Sequence, residues 1–205
     1  MPHNFKISLS FLAMLLMAAL PASAVETAEQ ILSRAADKIA KAPSVTMNFT
    51  LSYNGQSSQS SLVIAKNKYR LSSAGLEVWY DGETLWSLNT ADSEVSITDP
   101  TPDELLECNP FAIISHYKAN FTYRRLGGAT NDIELVAKRK GSAIRKAVIT
   151  IDPKTYMPSK LIVTMSNGRT FSAKITSATV GKALPASTFV YNKTKFPAKS
   201  VIDLR

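Results

Sequence analysis

Cysteine is nearly absent: Cys108 is the only one in 205 residues. One thiol cannot form an internal disulfide, so a packed core must hold the fold. Cys108 itself reads either as a small buried apolar side chain or as a reactive thiol, and the second needs a cationic or basic neighbour that the sequence does not show. Histidine is almost as scarce, with two residues in all. His116 is the one beyond the opening segment. A Ser–His–Asp triad would have to use it, and no nucleophile-elbow motif accompanies it. Cys108 and His116 lack the further ligands that a metal site needs. Glycine-rich phosphate loops are missing as well, because Gly127-Gly128 is not followed by Lys and a helix. A pair of carboxylates placed for hydrolysis needs only two acids close in space, so that reading stays open. The poverty of catalytic types argues for binding over catalysis: no enzyme, no metal and no cofactor is expected.

Long apolar runs are also lacking. The longest, Ile7–Leu20, has about 14 residues against the ~20 that a spanning helix needs. Lys6 precedes it and the small-x-small pattern Ala22-Ser23-Ala24 follows, which is the layout of a secretory signal peptide. Residues 1–24 are therefore expected to be removed, and 25–205 to form one domain; an uncleaved anchor is the competing reading. No Cys follows the cleavage pattern, so the chain itself should not be lipidated. Negative charge is the minority, with 24 basic and 16 acidic residues and a formal net charge of +8. The densest basic stretch is Lys138-Arg139-Lys140, then Arg145-Lys146 beyond Gly141-Ser142, which reads as a hairpin turn with charged, solvated arms. Export makes nucleic acid an unsuitable partner. The sequons at Asn48, Asn120 and Asn192 read as chance, since the leader is of bacterial type.

What is present is pattern. Thr27 and Gln30 form a capping box, and Ile31, Leu32, Ala35, Ala36 and Ile39 follow at helical spacing until Pro43. From Val45 the period changes to two: Val45, Met47, Phe49, Leu51 and Tyr53 alternate with polar residues. Strands of similar kind follow at 61–65, 69–72, 78–80, 84–88 and 94–98, with Asn54-Gly55, Asn67-Lys68 and Asp81-Gly82 as turns. The pattern breaks after Asp99. Thr101-Pro102-Asp103-Glu104 starts a short helix with Leu105 and Leu106, and Asn109-Pro110 starts a second with Phe111, Ile113, Ile114 and Tyr117. Strands resume at 121–126, 133–137, 147–151, 159–165 and 171–178, and 189–191 reads as a last strand or a helical turn. The sum is an α+β chain: a strongly curved antiparallel sheet of about ten strands, with an N-terminal helix and short helices gathered on one face.

The segment Asp81-Gly82-Glu83-Thr84-Leu85-Trp86 resembles the Asp-Gly-Lys-Thr-Leu-Trp hairpin of the periplasmic outer-membrane lipoprotein carriers, the LolA-like family. Thr101–Leu106 and Asn109-Pro110-Phe111 resemble its lid-helix region. The ending Phe189-Val190-Tyr191, Phe196-Pro197 and Val201–Arg205 is similar to that of the Bacteroidetes-type branch. The resemblance covers the whole chain after the leader. It implies an incomplete half-barrel with lid helices over its concave face, and a periplasmic monomer that takes lipoprotein acyl chains from an inner-membrane lipoprotein-releasing ABC transporter to an outer-membrane acceptor. One departure stands out. Many members carry an Arg-Pro that locks the lid at the turn after the second strand, whereas this chain has Lys66-Asn67-Lys68, which leaves Lys66 as the lid-locking candidate.

An acyl chain loses about 0.8 kcal/mol per CH₂ exposed to water, so carriage across an aqueous space needs an apolar cavity. The expected acyl-binding cavity is lined by Met47, Phe49, Leu51, Ile64, Leu71, Trp86, Leu88, Leu105, Leu106, Phe111, Ile113 and Ile114. Each of these residues also suits an ordinary core, and a one-residue change of strand parity would move any of them to the other face. The alternatives are an envelope-stress sensor or protein-interaction module on the same half-barrel, and a periplasmic hydrolase.

Overall fold

The computed structural model describes residues 25–128 and 130–205; the leader expected at 1–24 lies outside the described residues. Helix α1 (Ala28–Lys41) starts as its capping box dictates. Thr27 Oγ1 accepts from the Gln30 amide at 3.2 Å, and Gln30 Oε1 accepts from the Thr27 amide at 2.9 Å. Ile31, Leu32, Ala35 and Ile39 are its buried face.

A single twelve-stranded sheet follows: β1 (Ser44–Tyr53), β2 (Gln56–Ala65), β3 (Lys68–Ser73), β4 (Leu76–Tyr80), β5 (Leu85–Asn89), β6 (Glu94–Thr98), β7 (Phe121–Arg125), β8 (Asn131–Ala137), β9 (Ile144–Ile151), β10 (Pro158–Met165), β11 (Thr170–Gly181) and β12 (Ser200–Asp203). Its spatial order is β12-β6-β5-β4-β3-β2-β1-β11-β10-β9-β8-β7. All neighbours pair antiparallel except β12, which lies parallel to β6. The sheet is open and curved, with β7 and β12 as its edges. The register of β1 with β11 shifts between Asn48 and Phe49, and Thr176 is the extra residue. Its hydroxyl donates to the Asn48 carbonyl at 3.0 Å. Such a bulge bends and twists a long pair, here one near the middle of the sheet.

Two excursions leave the sheet, one over each face. Between β6, near one end, and β7, at the opposite edge, the chain crosses the concave face as α2 (Pro102–Cys108), a 3₁₀ turn (Pro110–Ala112) and α3 (Ile113–Asn120). After β11 the chain crosses the outer face through a 3₁₀ turn (Ala186–Phe189) and returns as β12 beside β6. The ambiguous segment around Phe189 is thus a helical turn. Strand β12 had no sequence signal, because all four of its residues are exposed and no side-chain alternation marks it.

The apolar groups form two clusters. The larger lies between the concave face and the three helices, and includes Ile31, Met47, Leu62, Phe111, Ile113, Ile133, Ile149 and Leu161. The smaller lies on the outer face, where Trp79, Leu88 and Val95 meet Trp86, Tyr191, Phe196 and Ala198. Among the described residues no helix is long and apolar enough to cross a membrane.

Candidate functional site

The helices that cross the concave face are built to close locally and to be tied at one side. Thr101 caps α2 by a second capping box: its hydroxyl accepts from the Glu104 amide, and Glu104 Oε2 accepts from the Thr101 amide at 2.7 Å. The Thr101 amide and the Thr101 hydroxyl, which donates to the same Oε2 at 2.8 Å, favour the ionised carboxylate and lower the pKa of Glu104. Asn109 ends α2, its amide donating to the Leu105 carbonyl at 2.8 Å, and Pro110 starts the next turn without a donor to lose. Phe111 then points onto the sheet and meets Phe49 of β1 edge-on, with ring centroids 5.3 Å apart.

The ties run to the β7–β9 side. Arg139, in the β8–β9 loop, pairs with Asp103 of α2. Lys138 donates to the Lys118 carbonyl near the end of α3. Lys118 in turn pairs with Glu29 of α1 at 2.9 Å. The basic loop that reads as a solvated turn therefore holds the crossing segment. The signal missed in the sequence is the opposite charge of Asp103, in the first turn of α2, and Arg139, 36 residues on in the β8–β9 loop.

On the opposite side the segment stands off the sheet and leaves a cleft of about 490 Å³, within the ~300–1,000 Å³ typical of ligand sites. Ile64, Tyr69 and Tyr80 form its floor, Ile39 and Ala40 of α1 one wall, and Leu105, Asn109, Phe111, Ala112, Ser115 and His116 its roof. The β2–β3 turn, Lys66-Asn67-Lys68, stands at its mouth. Asn67 packs so close to Gly82 of the β4–β5 turn that a Cβ there would sit 2.6 Å from Asn67 Nδ2, and Gly82 has a φ of +107°, so glycine is favoured on both counts.

Of the residues expected to line a cavity, Met47, Phe49, Leu51, Ile64, Leu71, Leu105, Leu106, Phe111, Ile113 and Ile114 come together in the concave cluster. Ile64, Leu105 and Phe111 reach the cleft, while Met47, Ile113 and Ile114 are fully buried around it. Trp86 and Leu88 do not join them. Leu85 of β5 faces Tyr80 on the concave side, so Trp86 and Leu88 fall to the outer cluster. The cause is that β5 is covered on both faces, which removes the alternation that parity is read from. Lys66 lies at the mouth with a φ of +56°, and the ion pair that fastens α2 is made by Arg139 instead. Tyr69 and Asn109 are cleft residues the sequence reading passed over, although Tyr69 shares its strand parity with Leu71.

Cys108 is half-buried at the end of α2, and burial with the nearby Glu107 and Glu104 pushes its thiol up to about 11. It is protonated at neutral pH, which suits packing and not nucleophilic attack. Among the described residues no group of three His, Cys, Asp or Glu side chains is placed to hold a metal ion.

Comparison with known proteins agrees with this architecture. An uncharacterized conserved protein from Thermus thermophilus superposes with a TM-score of 0.57 at 10% identity, covering 86% of this chain and 98% of that one, a likeness of fold. A LolA superfamily protein from Nitrosomonas europaea (TM-score 0.41, 10% identity, 82% and 99% covered) is similar at a lower level. So is the Pseudomonas aeruginosa MucA/MucB complex (0.41, 13%, 80% and 61%). No curated protein sequence matches. The family described as outer membrane lipoprotein carrier protein LolA matches residues 19–169, which span α1, the lid-like crossing segment and most of the sheet, and the chain belongs to that family.

Proposed function

We propose that this protein is a periplasmic carrier that shelters the acyl chains of lipoproteins between the inner and outer membranes. The observation that carries the reading is the crossing segment. Its two helices join opposite ends of an open sheet and rest on an apolar floor. Polar contacts tie them at the β7–β9 side, beside one cleft of about 520 Å³, and a more apolar cleft of about 490 Å³ opens at the other side. In the ligand-free form, Phe111 and Leu106 bury themselves against the sheet, each less than a tenth exposed. An acyl chain can take their place by displacing the segment, so that binding and opening are one equilibrium. Loading from an inner-membrane lipoprotein-releasing transporter and delivery to an outer-membrane acceptor follow from this reading of the family.

Native mass spectrometry of the protein purified from the periplasm of its own host tests this. Bound acyl species, or uptake of an added synthetic lipopeptide, is the expected result. A clean ligand-free mass with no uptake overturns it. Phe111→Glu and Leu106→Glu place a charge on the closed face of the segment; a folded variant with unchanged acyl uptake would also sink the reading.

A second reading, a half-barrel that binds protein partners, has its own observation. Strand β12 is an edge whose Val201 and neighbouring Leu204 are 60% and 65% exposed, a place where an extended segment of a partner can pair. Co-purification of a protein without lipid would favour it.

A further inference from the structure

The cleft is not purely apolar. Tyr69 is 4% exposed and Asn109 is 5% exposed, and both line it. Neither the Tyr69 hydroxyl nor Asn109 Oδ1 has a hydrogen-bond partner. Tyr69 rises from β3 on the floor, and Asn109 sits in the roof where α2 meets the 3₁₀ turn. Asn109 lies across the cleft from the floor that carries the Tyr69 hydroxyl. Burial disfavours the ionised form of that hydroxyl, and at neutral pH it is an O–H donor. A buried polar group without a partner costs roughly 1–3 kcal/mol, and a protein tolerates few of them. Here a donor and an acceptor are buried and unsatisfied in two residues that line one cleft, one on its floor and one in its roof.

We propose that Tyr69 and Asn109 form a polar clamp for the carbonyl group that heads an acyl chain. The Tyr69 hydroxyl donates to the oxygen of an ester or amide carbonyl. Asn109 Oδ1 accepts the N–H of an amide-linked chain. The chain beyond the carbonyl lies along Ile64, Leu105 and Phe111. A bare hydrocarbon would satisfy neither polar atom, so the clamp selects carbonyl-headed chains and fixes how deep they enter. Ligand-free, the same two atoms weaken the closed state, which makes displacement of the roof easier. This deepens the carrier reading and rests on it.

The test is titration of the purified protein, followed by native mass spectrometry and by calorimetry. Four probes of equal chain length are used: a synthetic lipopeptide with ester-linked palmitoyl chains on a glyceryl-cysteine, its N-palmitoylated form, its dialkyl-ether analogue, and a dipalmitoyl phospholipid. The wild type should bind the ester lipopeptide about ten-fold more tightly than the ether. Tyr69→Phe should bring the ester down to the ether's affinity and leave the ether unchanged. The same variant, without ligand, should melt higher than the wild type, because it removes an unsatisfied hydroxyl; a residue needed only for packing would not produce these opposite signs. Asn109→Leu should erase any added affinity for an N-acylated form of the lipopeptide. Equal binding of ester and ether by the wild type, or undiminished ester binding by Tyr69→Phe, overturns the clamp and leaves the carrier reading standing. No uptake of any probe overturns both. A phospholipid held as tightly as the lipopeptide supports the clamp with membrane lipid as the source; a preference for the lipopeptide supports it with lipoprotein as the source.

Discussion

Glu134 of β8 stands between two cations, Arg124 of β7 at 2.6 Å and Lys146 of β9, all three on the outer face near the β7 edge. Lys146 and then Arg124 lower its pKa by hydrogen bonding to the charged form. The folded pKa lies below the unfolded one, so the stabilisation is fully present above the usual carboxylate range and is lost as pH falls through the lowered value. The difference in melting temperature between wild type and Glu134→Gln should therefore be greatest near neutrality and vanish in acid, below the lowered value; thermal melts across pH measure it. Cys108 makes the opposite kind of case. A thiol pushed up to about 11 by burial is almost wholly protonated near neutral pH. Its alkylation by iodoacetamide should be slower by about a hundred-fold or more than that of a free thiol of pKa ~8.5. Because it ends α2, adding lipopeptide should speed the reaction if the ligand moves that helix, and denaturant should restore the free rate.

At the scale of elements, the capping box of α2 carries a prediction of its own. Thr101→Ala removes the side chain that accepts from the Glu104 amide, at a cost of about 1 kcal/mol to a helix of seven residues. The loss should appear as roughly five-fold weaker amide protection confined to α2 in hydrogen exchange, with little change in the global melt. If the crossing segment is displaced on binding, the same change should raise affinity for lipopeptide. The start of α2 at Thr101-Pro102 was legible in the sequence, as were the α1 box and the alternation of β1, because each depends on neighbours a few residues apart; the reciprocal bond of Glu104 went unread. Two larger features that went unread share the opposite property. In β5, Leu85, Trp86 and Leu88 put apolar side chains on both faces, and both faces are covered, one by the helices and one by the chain after β11. Periodicity then carries no parity. Strand β12 exists only by pairing with β6 across more than a hundred residues, and nothing local announces it. The cleft residues Tyr69 and Asn109 were hidden for a similar reason: a tyrosine in a strand and an asparagine before a proline are ordinary there, and only the missing partners mark them.

At the scale of the whole molecule, an open sheet this long has two faces to cover and only one set of helices. The concave face takes α1, α2 and α3. The outer face of β3–β6 is covered by the chain from Ala186 onward, with Trp79 as the centre of the contact. Its ring meets Tyr191 at 5.5 Å and Phe196 at 4.9 Å, both edge-on. The Arg70 guanidinium, paired with Glu77 at 3.3 Å, lies 5.1 Å from the Phe196 ring. This contact sets the path of the chain before β12, so it also decides whether the β6 edge is covered. Phe196→Ala should cost about 2 kcal/mol, less than the ~3–5 kcal/mol of a fully buried phenylalanine because Phe196 keeps part of its surface in water. Urea titration followed by tryptophan fluorescence measures it, since Trp79 and Trp86 both report on that face. The loss should be accompanied by faster hydrogen exchange in β12 and β6. It should leave acyl uptake unchanged, because the cleft lies on the other side of the sheet. A variant that lost uptake while keeping its melting temperature would instead mean that the outer cover and the concave cleft are coupled through β3 and β4, the strands they share.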